Sequence, residues 1–151
     1  FYATSKILAE KVLQEVSCLI LRPMMLIDDK PHQKNLITRL TSYTKILQEP
    51  NSMAPLPHLI PILQKMIQKK LIGVYNLVNP GTISPFEIMK MYQEIVDPSH
   101  RFGLMTVPEL NKITKGMRTN CYLNTEKLNS QGFFLPEIHD AVQQCLEGYG
   151  K

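Results

Sequence analysis

Long apolar runs are absent from this 151-residue chain. Stretches such as Cys18-Leu-Ile-Leu before Arg22 are far too short to cross a bilayer, so no membrane segment is expected. Cysteine is scarce: Cys18, Cys121 and Cys145 are odd in number and widely separated. That excludes a disulfide framework and a zinc knuckle, and points to reduced thiols in a cytoplasmic setting. His32, His58, His100 and His139 stand apart from one another at no metal-ligand spacing, and no metal is assigned. Aromatics do not interleave with the basic clusters at Lys65, Lys69 and Lys70 or at Lys112, Lys115 and Arg118. The net charge of +4 therefore reads as solvated helix faces, and a nucleic-acid surface is not expected. Repeats, low-complexity tracts and flexible linkers are missing as well.

What remains is ordinary globular material: 44% hydrophobic and 20% charged residues, enough for one modest core. From Tyr2 to about Val16, Leu8, Val12 and Val16 recur at helical steps. Cys18 to Leu21 then reads as a short buried strand ending at Arg22-Pro23. Helix followed closely by buried strand is half of a parallel α/β repeat. Further on, the spacing predicts a helix over 35–43 and a strand at Lys45-Ile-Leu-Gln. An amphipathic helix is expected over 58–70, with Pro61 in its first turn. Gly73-Val-Tyr-Asn-Leu-Val-Asn reads as a strand closed by the turn Asn79-Pro-Gly81. Ser84-Pro-Phe-Glu87 has the form of a capping box opening a helix that runs to about Val96, and Thr106-Val-Pro-Glu109 repeats the signal. Leu123 should end a strand feeding a small helix capped by Asn124, and a last amphipathic helix spans 137–146.

The chemistry-bearing feature is the pair Tyr2 and Lys6. Tyr-x-x-x-Lys on a helix puts both side chains on one face, one turn apart. A lysine ammonium beside a phenol stabilises the phenolate and lowers a pKa that otherwise sits near 10, enabling proton transfer near neutral pH. By itself the spacing is better read as a solvated lysine and a half-buried tyrosine.

Context adds a family. The helix carrying Tyr2 and Lys6 runs into a buried strand ending Leu21-Arg22-Pro23, which resembles the extended short-chain dehydrogenase/reductases. Lys45-Ile-Leu-Gln-Glu-Pro-Asn-Ser-Met53, Gly73-Val-Tyr-Asn-Leu-Val-Asn-Pro-Gly-Thr-Ile-Ser84, Glu87-Ile-Met-Lys-Met-Tyr92 and Arg118-Thr-Asn-Cys-Tyr-Leu-Asn-Thr-Glu-Lys-Leu128 narrow the resemblance. They look like the UDP-4-keto-6-deoxyglucose 3,5-epimerase/4-reductase group and, more loosely, the dTDP-4-dehydrorhamnose reductases. The resemblance implies an α/β fold: the last parallel strands of a Rossmann-type reductase plus a small substrate-binding lobe. Residues 1–50 would end the dinucleotide-binding domain; 51–151 would be mainly the substrate lobe, with one returning Rossmann strand.

It further implies that Tyr2 donates a proton to the C4 oxygen of a 4-keto sugar nucleotide while NADPH or NADH supplies hydride. Lys6 would be its electrostatic partner and ribose ligand, with Tyr2, Lys6, Arg22 and Pro23 at the cofactor. Asn35, Arg39, Asn51, Arg118 and Asn120 would border the substrate, Arg118 holding phosphate through its fork. Plain alternatives stand beside these roles: a polar loop at Asn35, a turn at Pro50-Asn-Ser, a salt-bridged or capping arginine at 118. Where the family's bifunctional members carry a lysine after Asn-Phe-Ile-Thr, this chain has Asn35-Leu-Ile-Thr-Arg39. Arginine exchanges protons poorly, so reduction is expected to outrun 3,5-epimerisation.

No Gly-x-x-Gly-x-x-Gly turn for a pyrophosphate occurs here. The chain therefore reads as the C-terminal part of the enzyme, inactive alone, completed by an N-terminal half and forming a homodimer in some relatives. Without that half, the first helix would expose an apolar stripe. A non-catalytic regulatory subunit on the same scaffold is the rival reading.

Overall fold

The computed structural model describes residues 1–114 and 120–150, with Tyr2 placed as part of a helix without its side chain. Thirteen elements follow in order: α1 Tyr2–Gln14, β1 Leu19–Arg22, β2 Leu26–Ile27, α2 Leu36–Leu40, β3 Lys45–Leu47, β4 Ala54–Pro55 and α3 Leu56–Gln68. After these come β5 Gly73–Asn76, α4 Pro85–Ile95, β6 Gly103–Met105, α5 Val107–Ile113, α6 Glu126–Ser130 and α7 Ile138–Gly148. Every strand pair among the described residues is parallel: β1 with β5, β2 with β4, β3 with β6. Leu19 registers with Gly73 and Arg22 with Asn76, so the two strands finish together.

Parallel neighbours need crossovers, and helices supply them. The chain between β1 and β5 carries α2 and α3, and α4 lies between β3 and β6. Two apolar clusters result. Ile27, Ile37, Ile46, Met53, Ile88 and Ile138 belong to one, with α4 and α7 packed across it. Ala54, Leu59, Met66, Tyr75, Val78 and Leu128 belong to the other, beneath β1 and β5. Met53 and Ala54 are consecutive yet enter different clusters, because successive residues of an extended chain face opposite ways.

Both capping boxes form. Ser84 Oγ accepts from the Glu87 amide at 3.1 Å, while Glu87 Oε2 accepts from the Ser84 amide at 2.8 Å. Glu109 Oε2 takes the Thr106 amide at 2.8 Å and its hydroxyl at 3.0 Å. Asn124 Oδ1 accepts from the Glu126 amide at 2.6 Å, but the N-cap of α6 is Thr125, so Asn124 stands one position before the cap expected of it. Three readings differ from the sequence expectation: α2 covers only Leu36–Leu40 of the expected 35–43, the segment up to Leu123 is not a strand because Ser52 takes its backbone groups, and α3 starts early. Helix α3 starts at Leu56, with Pro57 in its first turn, so Pro61 lies inside the helix. Buried Pro55 ends β4 directly against α3, which draws the helix start forward by two residues.

Helix α1 stands apart. Ile7, Leu8, Val12 and Leu13 are all exposed, Val12 at 65%, as is Val16 beyond the helix end at Gln14, and none of the described residues of α1 is buried. The apolar stripe expected on this helix is open to solvent.

Candidate active site

Lys6 projects from α1 as an exposed side chain, on the helix that also carries Tyr2 one turn earlier. Glu10, a further turn along, receives Arg22. The Arg22 Nε donates to Glu10 Oε2 at 2.9 Å, and Nη2 donates to Oε1. That ion pair holds the Glu10 carboxyl below its ordinary range and raises the Arg22 guanidinium further. So Arg22, expected at the cofactor, has its fork turned onto α1. Pro23 follows, exposed, at the strand end. Glu10 escaped the sequence reading, although the four-residue step from Tyr2 to Lys6 leads directly to it.

Beyond Pro23, Met25 adopts φ +43°, in the left-handed region that a side chain rarely occupies. The twist turns the chain from β1 into β2. Met25 then lines an open cleft of about 670 Å³, a size typical of small-molecule sites. Leu36, Leu47, Met105 and Leu110 give this cleft apolar walls, with Lys34 and Arg39 on its surface. Among the described residues, neither Lys34 nor Arg39 has a carboxylate partner, so both charges are available to an anion. Lys45 also lines the cleft but is paired to Glu109 at 2.8 Å.

Asn35 sits beneath the cleft, buried, as the N-cap of α2. Its Nδ2 donates to the carbonyls of Asp28 at 2.7 Å and Lys30 at 2.9 Å. Its Oδ1 accepts from the amides of Ile37 and Asp28. Every polar atom of the side chain is committed to backbone, so Asn35 shapes the loop from 28 to 35.

Asn51 and Asn120 are brought to one place. Asn51, 4% exposed, accepts from the Cys121 amide through Oδ1 at 2.9 Å and donates to the Glu49 carbonyl at 3.1 Å. The Ser52 amide donates to the Cys121 carbonyl and its hydroxyl oxygen accepts from the Leu123 amide, each at 2.9 Å. Asn120 Nδ2 donates to Glu49 Oε2 at 2.9 Å and to the Tyr122 hydroxyl at 3.2 Å. The segment 49–52, between β3 and β4, thus clasps the segment 120–123. Asn51 also bridges to Ile83 in antiparallel fashion, fixing this connection from a second side. Arg118 lies outside the described residues. Glu49 does not stand out by spacing, since its partner Asn120 is 71 positions away.

Among the described residues, no group of three or more His, Cys, Asp or Glu side chains gathers to hold a metal. Cys145 is a buried thiol, pushed up to about 12 by burial and by the charges of Asp29 and Asp28. It is inert packing within the first cluster. No described helix is long and apolar enough to cross a membrane.

This chain is 35% identical over 149 residues to the bifunctional dTDP-4-dehydrorhamnose 3,5-epimerase/dTDP-4-dehydrorhamnose reductase of Arabidopsis thaliana. The match covers 97% of this chain and 48% of that protein. The chain is a homologue of the rhamnose-nucleotide reductases. A trifunctional UDP-glucose 4,6-dehydratase/UDP-4-keto-6-deoxy-D-glucose 3,5-epimerase/UDP-4-keto-L-rhamnose-reductase of the same plant is 32% identical, over 97% of this chain and 22% of that protein. The crystal structure of a UDP-rhamnose synthase from Acanthamoeba polyphaga mimivirus superposes with a TM-score of 0.82 at 30% identity. It covers 91% of this chain and 49% of that one. A dTDP-4-dehydrorhamnose reductase from Bacillus anthracis, solved with NADP, shares the fold at a TM-score of 0.74 and 18% identity, over 95% of this chain and 53% of that one. No family model matches. This reductase homologue spans about half the length of the Arabidopsis bifunctional enzyme, and less of the trifunctional one.

Proposed function

We propose that this chain supplies the proton donor and the sugar-nucleotide cleft of an NADPH- or NADH-dependent reductase acting on a nucleotide-linked 4-keto-6-deoxyhexose. The observation carrying this reading is a cationic, apolar-walled cleft on the same chain as the Tyr2–Lys6 helix, in a homologue of rhamnose-nucleotide reductases. Tyr2 gives its proton to the C4 oxygen as hydride arrives at C4, and Lys6 holds the phenol's pKa down. The nicotinamide cofactor supplies the hydride when bound. Lys34 and Arg39 attract the diphosphate of the substrate, and the apolar walls take its nucleoside. Arg118 and Asn120 contribute from the clasped segment, with Asn51 holding that segment in place.

In this reading, α1, β1 and their surroundings up to residue 50 close the dinucleotide-binding domain. Residues 51–151 form most of the substrate lobe, and β5 returns to pair with β1. The cofactor's phosphates are bound by sequence other than this chain, which alone is inactive. Arg39 leaves 3,5-epimerisation slow, because its guanidinium does not release a proton near neutral pH.

The test is oxidation of NADPH by the full-length protein, with and without a UDP- or dTDP-linked 4-keto-6-deoxyhexose. Substrate-dependent oxidation, with little solvent deuterium entering C3 and C5, is the expected result. Absence of turnover together with tight binding to a second protein would favour a regulatory subunit instead.

A further inference from the structure

Resting on the reductase reading, we propose that Glu10 is a positioning residue, setting Lys6 and Tyr2 through its two-pronged grip on Arg22. The grip joins the helix bearing the proton donor to the end of the strand it must face. Positions 2, 6 and 10 follow one another along α1, each step turning only about 40°. Whatever fixes Glu10 therefore fixes the azimuth of Lys6 and Tyr2.

Stability is a poor account of this pair. Its side chains are 50% and 20% exposed, and exposed ion pairs add little to folding free energy. Geometry is the better account. A planar guanidinium bound to both carboxylate oxygens sets separation and rotation together, which a point charge does not.

Positioning and simple charge predict opposite signs. As a through-space charge, Glu10 disfavours the phenolate, so Glu10→Gln would lower the pKa of Tyr2. As a positioning residue, its loss lets Lys6 drift from the phenol, and the pKa rises. Arg22→Lys adds a second discriminator, because it keeps the charge and loses the fork.

The experiment is an ultraviolet difference titration of phenolate in the full-length protein, with Tyr2→Phe subtracted to isolate Tyr2. Steady-state kinetics are read in parallel. Glu10→Gln and Arg22→Lys are each expected to raise the Tyr2 pKa by about one unit. Both should also lower kcat about tenfold, with KM for the sugar nucleotide within about twofold. A lowered pKa in Glu10→Gln, or an Arg22→Lys protein indistinguishable from the unmodified one, would overturn the proposal. If Glu10→Gln fails to fold, Arg22→Lys carries the same test. The titration judges the clamp without turnover, whereas absence of turnover in the unmodified protein counts against the reductase reading alone.

Discussion

Asn51 and Asn35 are both buried asparagines near the candidate site, and their hydrogen bonds assign them different work. Asn35 binds its own loop, joining residues 28, 30 and 37. Asn51 reaches across the chain to Cys121. Replacing Asn35 by alanine strands several buried backbone groups and should cost about 2 kcal/mol, read from denaturant unfolding at unchanged m. Asn51→Ala should cost a similar amount, about 2 kcal/mol, and in addition weaken sugar-nucleotide binding about tenfold by releasing the clasped segment. Calorimetric titration on the two variants separates the roles; equal affinities would remove Asn51 from the site. Both asparagines were legible in the sequence as polar residues beside predicted elements. Their partners were not, because Cys121 lies seventy positions from Asn51 and no local pattern records that distance. Arg39 shows the converse: its place within α2 followed from helical spacing, and the cleft it lines did not. Arg39→Lys should speed solvent deuterium entry at C3 and C5 of the substrate, measured by mass spectrometry; unchanged exchange would remove residue 39 from epimerisation.

Helix starts are the elements where local chemistry decided most. Ser84 and Thr106 each precede proline and then glutamate, and each pattern became a capping box. The second box couples to the cleft through Lys45. Its ion pair, first, and the Thr106 hydrogen bonds, next, hold Glu109 down to about 2 from its ordinary 4.5. A depressed carboxyl stabilises the fold above its unfolded pKa and ceases to as it protonates. The start of α5 should therefore hold at neutral pH and loosen as pH falls from about 4.5 towards about 2. Amide exchange at Leu110, compared with the same residue in Glu109→Gln, measures this; identical profiles would exclude the link. Helix α1 makes the opposite point. Its apolar periodicity, visible in the sequence, is met by solvent rather than a core. Replacing Leu8 and Val12 by glutamate should leave the melting of the remainder unchanged and reduce self-association, seen by sedimentation.

Taken as one molecule, the described residues form two closed clusters, three short parallel strand pairs and a helix α1 with no buried described residue. Two-stranded parallel pairs are weak units, since parallel sheets are normally buried on both faces. The isolated polypeptide should therefore melt broadly or associate; a sharp, monomeric, two-state transition would contradict this. The sequence by itself determined the helices, the strands β1, β3 and β5, both capping boxes and the spacing of Tyr2 and Lys6. Those rest on interactions within a few residues, which composition and periodicity encode directly. Tertiary structure alone decided the strands β2, β4 and β6, each too short to show a period. It also decided the left-handed turn at Met25, the clasp from Asn51 to Cys121 and the capture of Arg22 by Glu10. Each of these depends on which distant segments meet, and meeting is settled by packing apolar surface, not by local pattern.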